Sequence, residues 1–520
     1  MAAQSSPLTG PIDPRDTLFS TDALDSGSVA GRATRGALLT VLSTALKIVV
    51  QFGSIAILAR LVPPNEFGVV AMAMPIVAIA VSLSRFGLAQ AIVQRPHVTH
   101  ALATTLFWAN LTLATVVAAV VFWLSPLAGA FYGDPRVPGV FAALTLSILF
   151  AGAVTQYMGI LRRQMRFKVI EACTLTAELV GMVAAVIAAT YGASYWAIVL
   201  QHVLIQAVAL AGLGIATGWL PSLPPLRAVR WREARSSIAL GGYLAGFGLL
   251  NQVLHGLGSV ISGRVLGDVA AAAYFRAWTL GYYPEGRFGS PLAGVFVPAL
   301  SRATGDAAAF RALYATLLRR LSLFLMPVGA VFLAGGDVIV AIVLGSQWQA
   351  AQPLLMWLGL MVLLAPLSTS VNWALTAVGA TRQLMVYGLL SLIAVGGALM
   401  VGAERGLVTM TAAYTLTGLL VQGPMLLVLA IRYTPLQRRT VADRYGRDLV
   451  VFLALAGLAY LLREALAPLG LFQALGPLGV ISPLIVVGAA VGMGSAAYGL
   501  LDPALRPDLM YVIRRVLPSR

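Results

Sequence analysis

The chain has 520 residues, of which 59% are hydrophobic and only 10% are charged, and its mean hydropathy is +0.87. Soluble domains carry roughly 25% charged residues, so this composition excludes a soluble globular protein and indicates an integral membrane protein. The formal net charge is +16, which in a soluble chain would suggest nucleic-acid binding. In a membrane protein, the positions of the charges decide what the excess means.

The first segment of the chain, residues 1–31, is rich in Ser, Asp, Gly and Pro. It has neither the basic region nor the apolar region of a signal peptide, so we predict a disordered cytoplasmic tail. In this interpretation, the first membrane helix carries the targeting information.

From residue 37 onward, the chain alternates between apolar runs and short polar connections. A membrane helix needs about 20 mostly apolar residues, so the runs predict an all-α polytopic membrane protein with about fourteen spans. The predicted spans are 37–60, 67–93, 102–125, 139–161, 169–190, 194–217, 238–264, 270–298, 321–344, 351–378, 383–402, 406–431, 449–467 and 478–501. The connection 299–320 has apolar residues on one side and is predicted to be an interfacial amphipathic helix.

The distribution of basic residues predicts the orientation of the spans. With the N-terminus in the cytoplasm, 26 of the 35 basic residues fall in cytoplasmic connections or tails, and four fall on the outer side. Cytoplasmic loops of membrane proteins carry such an excess, and a missed helix would invert every later loop. We therefore expect both termini in the cytoplasm, with the basic residues facing anionic lipid headgroups rather than nucleic acid.

The first and seventh spans indicate an internal repeat. At an offset of 204 residues, Lys47 aligns with Asn251 and Gln51 aligns with His255, so each half carries a polar pair in its first helix. Transporters often contain two related halves. The predicted organisation is a cytoplasmic tail (1–31), a six-span N-lobe (32–217), a cytoplasmic linker (218–237), a six-span C-lobe (238–431), two further spans with a cytoplasmic loop (432–501) and a cytoplasmic tail (502–520).

Four stretches resemble a known family and occur in the order expected for it. They are ARLVPPNEFGVVAMAMPIVAIAVSLSRFGLAQAIVQR, LRRQMRFKVIE, AAAYFRAWTLGYYPEGRF and VLGSQWQAAQPLL. Over about residues 36–435, the chain is similar to the Wzx-type polysaccharide and lipid-linked oligosaccharide flippases. The resemblance implies membership of the multidrug/oligosaccharidyl-lipid/polysaccharide (MOP) exporter superfamily. It also implies two six-helix lobes arranged as a V, two additional C-terminal helices and alternating access.

The function implied by the resemblance is translocation of an undecaprenyl-diphosphate-linked oligosaccharide across the bacterial inner membrane for surface polysaccharide biosynthesis. The expected partners are that lipid-linked oligosaccharide and membrane lipids. Polysaccharide polymerase and export proteins are further candidate partners, and a monomer is expected. The chain has no CxxC, HExxH or P-loop pattern, so we expect no metal and no cofactor.

Polar groups within the predicted spans are the candidates for substrate binding. A charged side chain at the membrane centre costs about 2.5–3.5 kcal/mol on insertion scales, so it normally faces a bundle interior or a water-filled cavity. Arginine and lysine complement a diphosphate, and amides complement sugar hydroxyls. The candidates are Lys47, Arg85, Arg276, Arg287, Gln51, Asn251, Gln252 and His255. Interfacial anchoring is an open alternative for the arginines at 85 and 276, as is a structural role for the histidine.

Two acidic residues, Glu285 and Glu178, are candidates for coupling transport to an ion, and a structural hydrogen-bonding role is the alternative for both. Glu285 is expected either to pair with Lys47 or to take up a proton. It lies in YFRAWTLGYYPEGRF, where Arg276 and Arg287 are eleven residues apart, about three helical turns, and so project from one face.

Three alternative functions have to be weighed. An ion-coupled multidrug exporter of the same superfamily is disfavoured because the charges within the spans are mostly basic. A membrane polysaccharide polymerase or glycosyltransferase would be expected to carry a large loop with acidic or histidine groups, and the predicted connections are too short for one. A lipid scramblase or a scaffold that transports nothing is not distinguished by the sequence.

Overall fold

The computed structural model describes residues 19, 46–85, 92, 98–222, 231–469 and 481–501. Within these ranges every regular element is helical, which confirms the all-α class. The helices are α1 (46–61), α2 (Pro64–Ser84), α3 (His100–Tyr132), α4 (Val137–Arg163), α5 (Phe167–Thr190), α6 (Tyr195–Thr217), α7 (Trp231–Leu266), α8 (Asp268–Arg302), α9 (Ala307–Val343), α10 (Gln352–Ala377), α11 (Thr381–Ala403), α12 (Leu407–Tyr433), α13 (Arg444–Leu466) and α14 (Ser482–Leu501). A 3-10 segment, Ser346–Ala351, precedes α10. The predicted tail 502–520 and most of the tail 1–31 lie outside the described residues.

Many of these helices can cross a membrane, as expected of a multi-pass membrane protein. In the described part of the chain, eleven helices are long and apolar enough, namely α2 to α6 and α9 to α14. Each of them coincides with a predicted span. The remaining predicted spans coincide with α1, which is described only from residue 46, and with α7 and α8, which carry more polar groups. The total of fourteen spans and the orientation of the termini stay predictions.

The chain divides into two compact units. Unit 1 consists of Met1–Gly53, Val77–Ala128 and Pro138–Gly242, and unit 2 consists of Ser54–Ile76, Gly129–Val137 and Tyr243–Arg520. Helices α1, α2, α3 and α7 therefore contribute one part to each unit. The predicted division into an N-lobe and a C-lobe stays a prediction.

An aromatic cluster forms part of the core of unit 1. The rings of Phe107 and Tyr157 contact Trp219 in edge-to-face geometry, with centroids 6.0 and 5.8 Å away. Trp219 is fully buried, and its Nε1–H donates to Nδ1 of His100 over 2.9 Å. The other ring nitrogen of His100 lies 2.7 Å from the hydroxyl oxygen of Ser222. The indole thus combines apolar burial with a satisfied polar atom.

Replacing Trp219 by alanine is expected to lower the stability of the protein by about 3–5 kcal/mol, because the change leaves a cavity and removes the donor to His100. The smaller change Trp219→Phe should cost less, since it keeps a ring in place. Unfolding of the purified protein in lipid nanodiscs would measure both losses. Trp196→Ala is the matched control, because this side chain is 43% exposed and its loss should cost under about 0.5 kcal/mol. Equal losses at 196 and 219 would contradict the assignment of a core.

The predicted interfacial helix is instead the beginning of α9. Asp306 caps this helix, because its Oδ1 accepts hydrogen bonds from the backbone N–H groups of Ala308 and Ala309 at 2.8 and 3.1 Å. Phe310 and Leu317 are completely buried in the core of unit 2. The prediction of a separate interfacial helix was therefore wrong. The apolar side of the first turns of α9 faces protein, and no Gly or Pro interrupts this helix before Pro327.

Polar contacts also link the last two described helices, α13 and α14, to other helices of unit 2. Arg463 of α13 binds Asp337 of α9 in a two-pronged pair, with N–O distances of 2.8 and 2.6 Å. Tyr498 of α14 donates a hydrogen bond to Asp448 of α13. Paired charges of this kind hold helices in one register.

Candidate functional site

A buried ion pair lies in unit 1, and one of its members is the predicted Lys47. The Nζ atom of Lys47 lies 2.6 Å from Oε2 of Glu171 and 2.6 Å from the hydroxyl oxygen of Thr174. Glu171 and Thr174 are three residues apart on α5, so both face Lys47. The lysine is only 8% exposed. The prediction that Lys47 lines a substrate cavity stays a prediction, and its partner Glu171 was missed.

The other predicted residues of unit 1 are placed as follows. Gln51 is half-buried and lies one turn after Lys47 on α1. Glu178 is half-buried on α5, two turns after Glu171. Arg85 is exposed just after the end of α2, and its Nη2 donates to Oε1 of Gln206 on α6 over 3.2 Å.

Unit 2 contains a cavity of about 480 Å³, lined by residues of α7, α8, α10, α11 and α12. This volume is within the range of about 300–1,000 Å³ that small-molecule sites occupy. Two predicted residues line it, Asn251 and His255, whereas Gln252 is half-buried on α7 and does not. The lining that the structure describes includes no Lys, Arg, Asp or Glu. We call it the C-terminal cavity.

One wall of the C-terminal cavity is aromatic. Trp278 and Tyr282 line the cavity, and Tyr274, which does not, precedes Trp278 by four residues on α8. The four-residue spacing places the three rings along one face of the helix. The ring planes of Trp278 and Tyr282 are 9° apart, with centroids separated by 5.7 Å. The ring of His255 lies against them, 4.5 Å from the centroid of Tyr282. Tyr414 of α12 meets Trp278 edge-on at 5.4 Å.

Backbone irregularities lie beside the same cavity. In α12, the segment Gly418–Gln422 is a π-turn, an element that is frequent at functional sites, and Gln422 lines the cavity. In α10, Pro366 lacks an N–H, so the carbonyl of Val362 has no helical donor. Val362 is also part of the lining.

A second polar cluster in unit 2 surrounds Arg136, in the turn between α3 and α4. The guanidinium nitrogens lie 2.7 Å from Asp134, 3.1 Å from Asp268 and 3.4 Å from Glu66. The hydrogen bond from Arg136 lowers the pKa of Asp134, and the same contact raises the pKa of Arg136. We call these four residues the turn cluster. They stabilise the junction of three connections, but the sequence had indicated only that 136 lies on the outer side.

Arg276 is buried in unit 2 and does not line the C-terminal cavity. Its guanidinium carbon lies 3.9 Å from the ring centroid of Phe67 and 5.8 Å from that of Trp348, which are cation–π contacts. Its Nε is buried without a hydrogen bond to any described residue. The side chains of Glu285 and Arg287 lie outside the described residues, so their predicted roles stay predictions.

The functional candidates that sequence reasoning missed are Glu171, Trp278, Asn372 and Gln422. The four-residue spacing of the aromatic residues on α8 was a visible signal, because it places their rings on one face of a helix. An isolated asparagine in an apolar span, as at 372, is a second signal. No local pattern pairs Glu171 with a lysine 124 residues earlier.

A model of the family described as "Polysaccharide biosynthesis protein" matches residues 57–353 of the chain. The lipopolysaccharide biosynthesis protein WzxC of Escherichia coli (strain K12) is 24% identical over 352 residues, 67% of this chain and 71% of the relative. The succinoglycan biosynthesis transport protein ExoT of Rhizobium meliloti (strain 1021) is 27% identical over 379 residues, 72% of this chain and 76% of the relative.

Solved structures with a similar fold include the lipid II flippase MurJ in an inward closed conformation. That likeness has a TM-score of 0.66 at 10% identity, covering 89% of this chain and 98% of MurJ. An inward-facing multidrug resistance MATE family transporter of the MOP superfamily gives a TM-score of 0.57 at 12% identity, covering 79% and 98%. At such identities, the likeness shows the fold, which is that of the MOP superfamily.

The predicted similarity to Wzx-type flippases and the predicted MOP fold are confirmed. The chain is a transporter rather than an enzyme, as predicted, because its relatives are polysaccharide biosynthesis and transport proteins. Since the family model covers more than half of the chain, the protein belongs to the polysaccharide biosynthesis protein family.

Proposed function

We propose that the protein is a flippase for an undecaprenyl-diphosphate-linked oligosaccharide in the bacterial inner membrane. The observation that carries this proposal is the family match over residues 57–353. The names of WzxC and ExoT connect related proteins with lipopolysaccharide and succinoglycan biosynthesis, and the fold is shared with a lipid II flippase. The substrate would move from the cytoplasmic to the outer leaflet by alternating access, for surface polysaccharide biosynthesis.

In this proposal, cationic groups bind the diphosphate. Lys47 is the described candidate with the strongest support, because an ionisable residue within a membrane helix is costly and marks a candidate functional site. Glu171 and a diphosphate would compete for the same ammonium group, whose distance to the carboxylate is 2.6 Å. Arg85, Arg276 and Arg287 are proposed as further cationic contacts, and Glu178 and Glu285 as candidates for ion coupling.

The proposed organisation is that predicted from the sequence, with an N-lobe (32–217), a C-lobe (238–431), two further helices within 432–501 and both termini in the cytoplasm. The protein is proposed to act as a monomer. Its partners would be the lipid-linked oligosaccharide and membrane lipids, with polysaccharide polymerase or export proteins receiving the product.

Deletion of the gene tests the proposal. We expect surface polysaccharide to fall and the lipid-linked oligosaccharide to accumulate on the cytoplasmic leaflet, because synthesis continues while translocation stops. Assay of surface polysaccharide measures the first effect. Extraction of the lipid fraction measures the accumulation, and lectin binding to spheroplasts before and after permeabilisation assigns the leaflet. If the lipid-linked intermediate is absent from the deletion strain, an enzymatic function is favoured. Normal polysaccharide with increased drug susceptibility would favour a multidrug exporter.

A further inference from the structure

The described lining of the C-terminal cavity has the chemistry of a carbohydrate site rather than of a phosphate site. Its described lining combines aromatic rings, amides and hydroxyls, and includes no charged side chain. A diphosphate would require cations for compensation, and a cationic drug would require an acid. A neutral, hydroxyl-rich ligand requires neither.

The aromatic wall matches one face of a sugar ring. The faces of aromatic rings carry negative charge density, which attracts the weakly positive C–H groups of a pyranose. Trp278 is half-buried, so part of its surface borders the cavity. Tyr274 next to it is completely buried against Gly258, where an added Cβ would lie 2.2 Å from the phenol ring. The wall is thus held rigidly by the close approach of α7 and α8.

Amides on the other helices match the hydroxyl edge of a sugar. Asn251, Asn372 and Gln422 come from α7, α10 and α12, and each amide offers both a donor and an acceptor. The Oδ1 atom of Asn372 is buried and accepts no hydrogen bond from any described residue. An unsatisfied buried acceptor is unfavourable. A ligand hydroxyl is a donor that would satisfy it.

We propose that the C-terminal cavity binds a neutral sugar residue of the transported oligosaccharide, with Trp278 as the stacking platform and Asn372 as a hydrogen-bonding group. This assignment rests on the proposed function, since it names which part of the substrate unit 2 recognises. It assigns sugar recognition to the C-terminal cavity, whereas the cationic candidate Lys47 lies in unit 1 and Arg276 lies in unit 2 outside this cavity.

A binding assay tests the assignment without measuring transport. The protein is reconstituted in nanodiscs free of sugar-headed detergents. Equilibrium dialysis then measures binding of two probes, a neutral oligosaccharide obtained by partial hydrolysis of the cells' surface polysaccharide, and inorganic pyrophosphate. Trp278→Leu and Asn372→Leu are each expected to raise the oligosaccharide dissociation constant about 3- to 10-fold and to leave pyrophosphate binding unchanged. Trp278→Phe, which retains an aromatic face, should have a smaller effect.

Folding is controlled in two ways. Leucine is close to asparagine in shape and removes the unsatisfied acceptor, so Asn372→Leu should have a melting temperature equal to or above that of the wild type. Trp123→Leu is the matched control for tryptophan loss, because this residue is 78% exposed, and it should bind both probes normally.

Several outcomes would overturn the assignment. They are no oligosaccharide binding by the wild type, equal binding by wild type and both leucine variants, or parallel loss of oligosaccharide and pyrophosphate binding. A failure of the proposed function is separate, since it would appear in the lipids of the deletion strain. Binding of the oligosaccharide by a protein whose deletion leaves those lipids unchanged would support the site and contradict the flippase.

Discussion

Lys47→Met is expected to destabilise the protein by about 3 kcal/mol, at the lower end of the range for breaking a buried ion pair. The reason is that the carboxyl group of Glu171 would lie in a protein interior without the ammonium group 2.6 Å away. The side chains are 11% and 19% exposed, and this limited access to water is why the lower end applies. Glu171→Gln should lower the stability by a similar amount, because it leaves the ammonium group of Lys47 without the carboxylate. Unfolding of each variant in nanodiscs measures these losses.

The double variant Lys47→Met/Glu171→Gln distinguishes a structural pair from a substrate-binding lysine. With both charges removed, most of the stability should return. Polysaccharide export should stay lost, because the ammonium group proposed to bind the diphosphate is absent. Pyrophosphate binding should also differ between the single variants, disappearing in Lys47→Met and strengthening in Glu171→Gln, where the competing carboxylate is gone. Recovery of export in the double variant would show that the pair is only structural.

Arg136→Gln is expected to lower the free energy of unfolding by about 2 kcal/mol at neutral pH. It leaves the three carboxylates of the turn cluster close together without a cation, although the partial exposure of the cluster limits the cost. Arg405→Gln is the control, since this arginine is exposed in another short turn and should change stability by less than about 0.5 kcal/mol. Thermal unfolding in nanodiscs compares the two variants.

The loss at Arg136 should depend on pH in a defined direction. The arginine lowers the pKa of Asp134 in the folded protein, so its contribution is fully present above the ordinary carboxyl pKa of about 3.9. The contribution disappears as the pH falls through the lowered value. The difference between wild type and variant should therefore be largest at pH 7 and should shrink below about pH 4. A difference that stays constant over this interval would exclude the carboxylates as its cause.

The helices could be predicted from the sequence because each span appears as its own apolar run. The backbone N–H and C=O groups of a run that crosses a bilayer must form hydrogen bonds within the protein. A helix forms these hydrogen bonds within the run itself. The same logic failed for 299–320. An apolar face on an amphipathic helix can be covered by lipid or by protein, and residues such as Phe310 are covered by the core of unit 2.

The candidate sites were only partly predictable. Asn251 and His255 could be identified because polar residues in a membrane helix are costly unless they face a cavity. The partner of Lys47 could not be identified in this way. Glu171 lies near the basic stretch at 162–168, a position that is typical of a residue at the membrane surface. Pairings over such separations depend on how the helices pack, and periodicity within one helix carries no information about that.

The contacts at the end of α1 have a consequence for the order of folding. The carbonyl of Ala59 accepts a hydrogen bond from the indole of Trp348, and the carbonyl of Ile342 accepts one from Arg60. These pairs are separated by 289 and 282 residues. At translation rates of about 5–20 residues per second, Ala59 waits roughly 15–60 s for its partner to be synthesised. During biosynthesis, the carbonyl of Ala59 is therefore expected to accept its hydrogen bond from water or from the insertion machinery until Trp348 is in place.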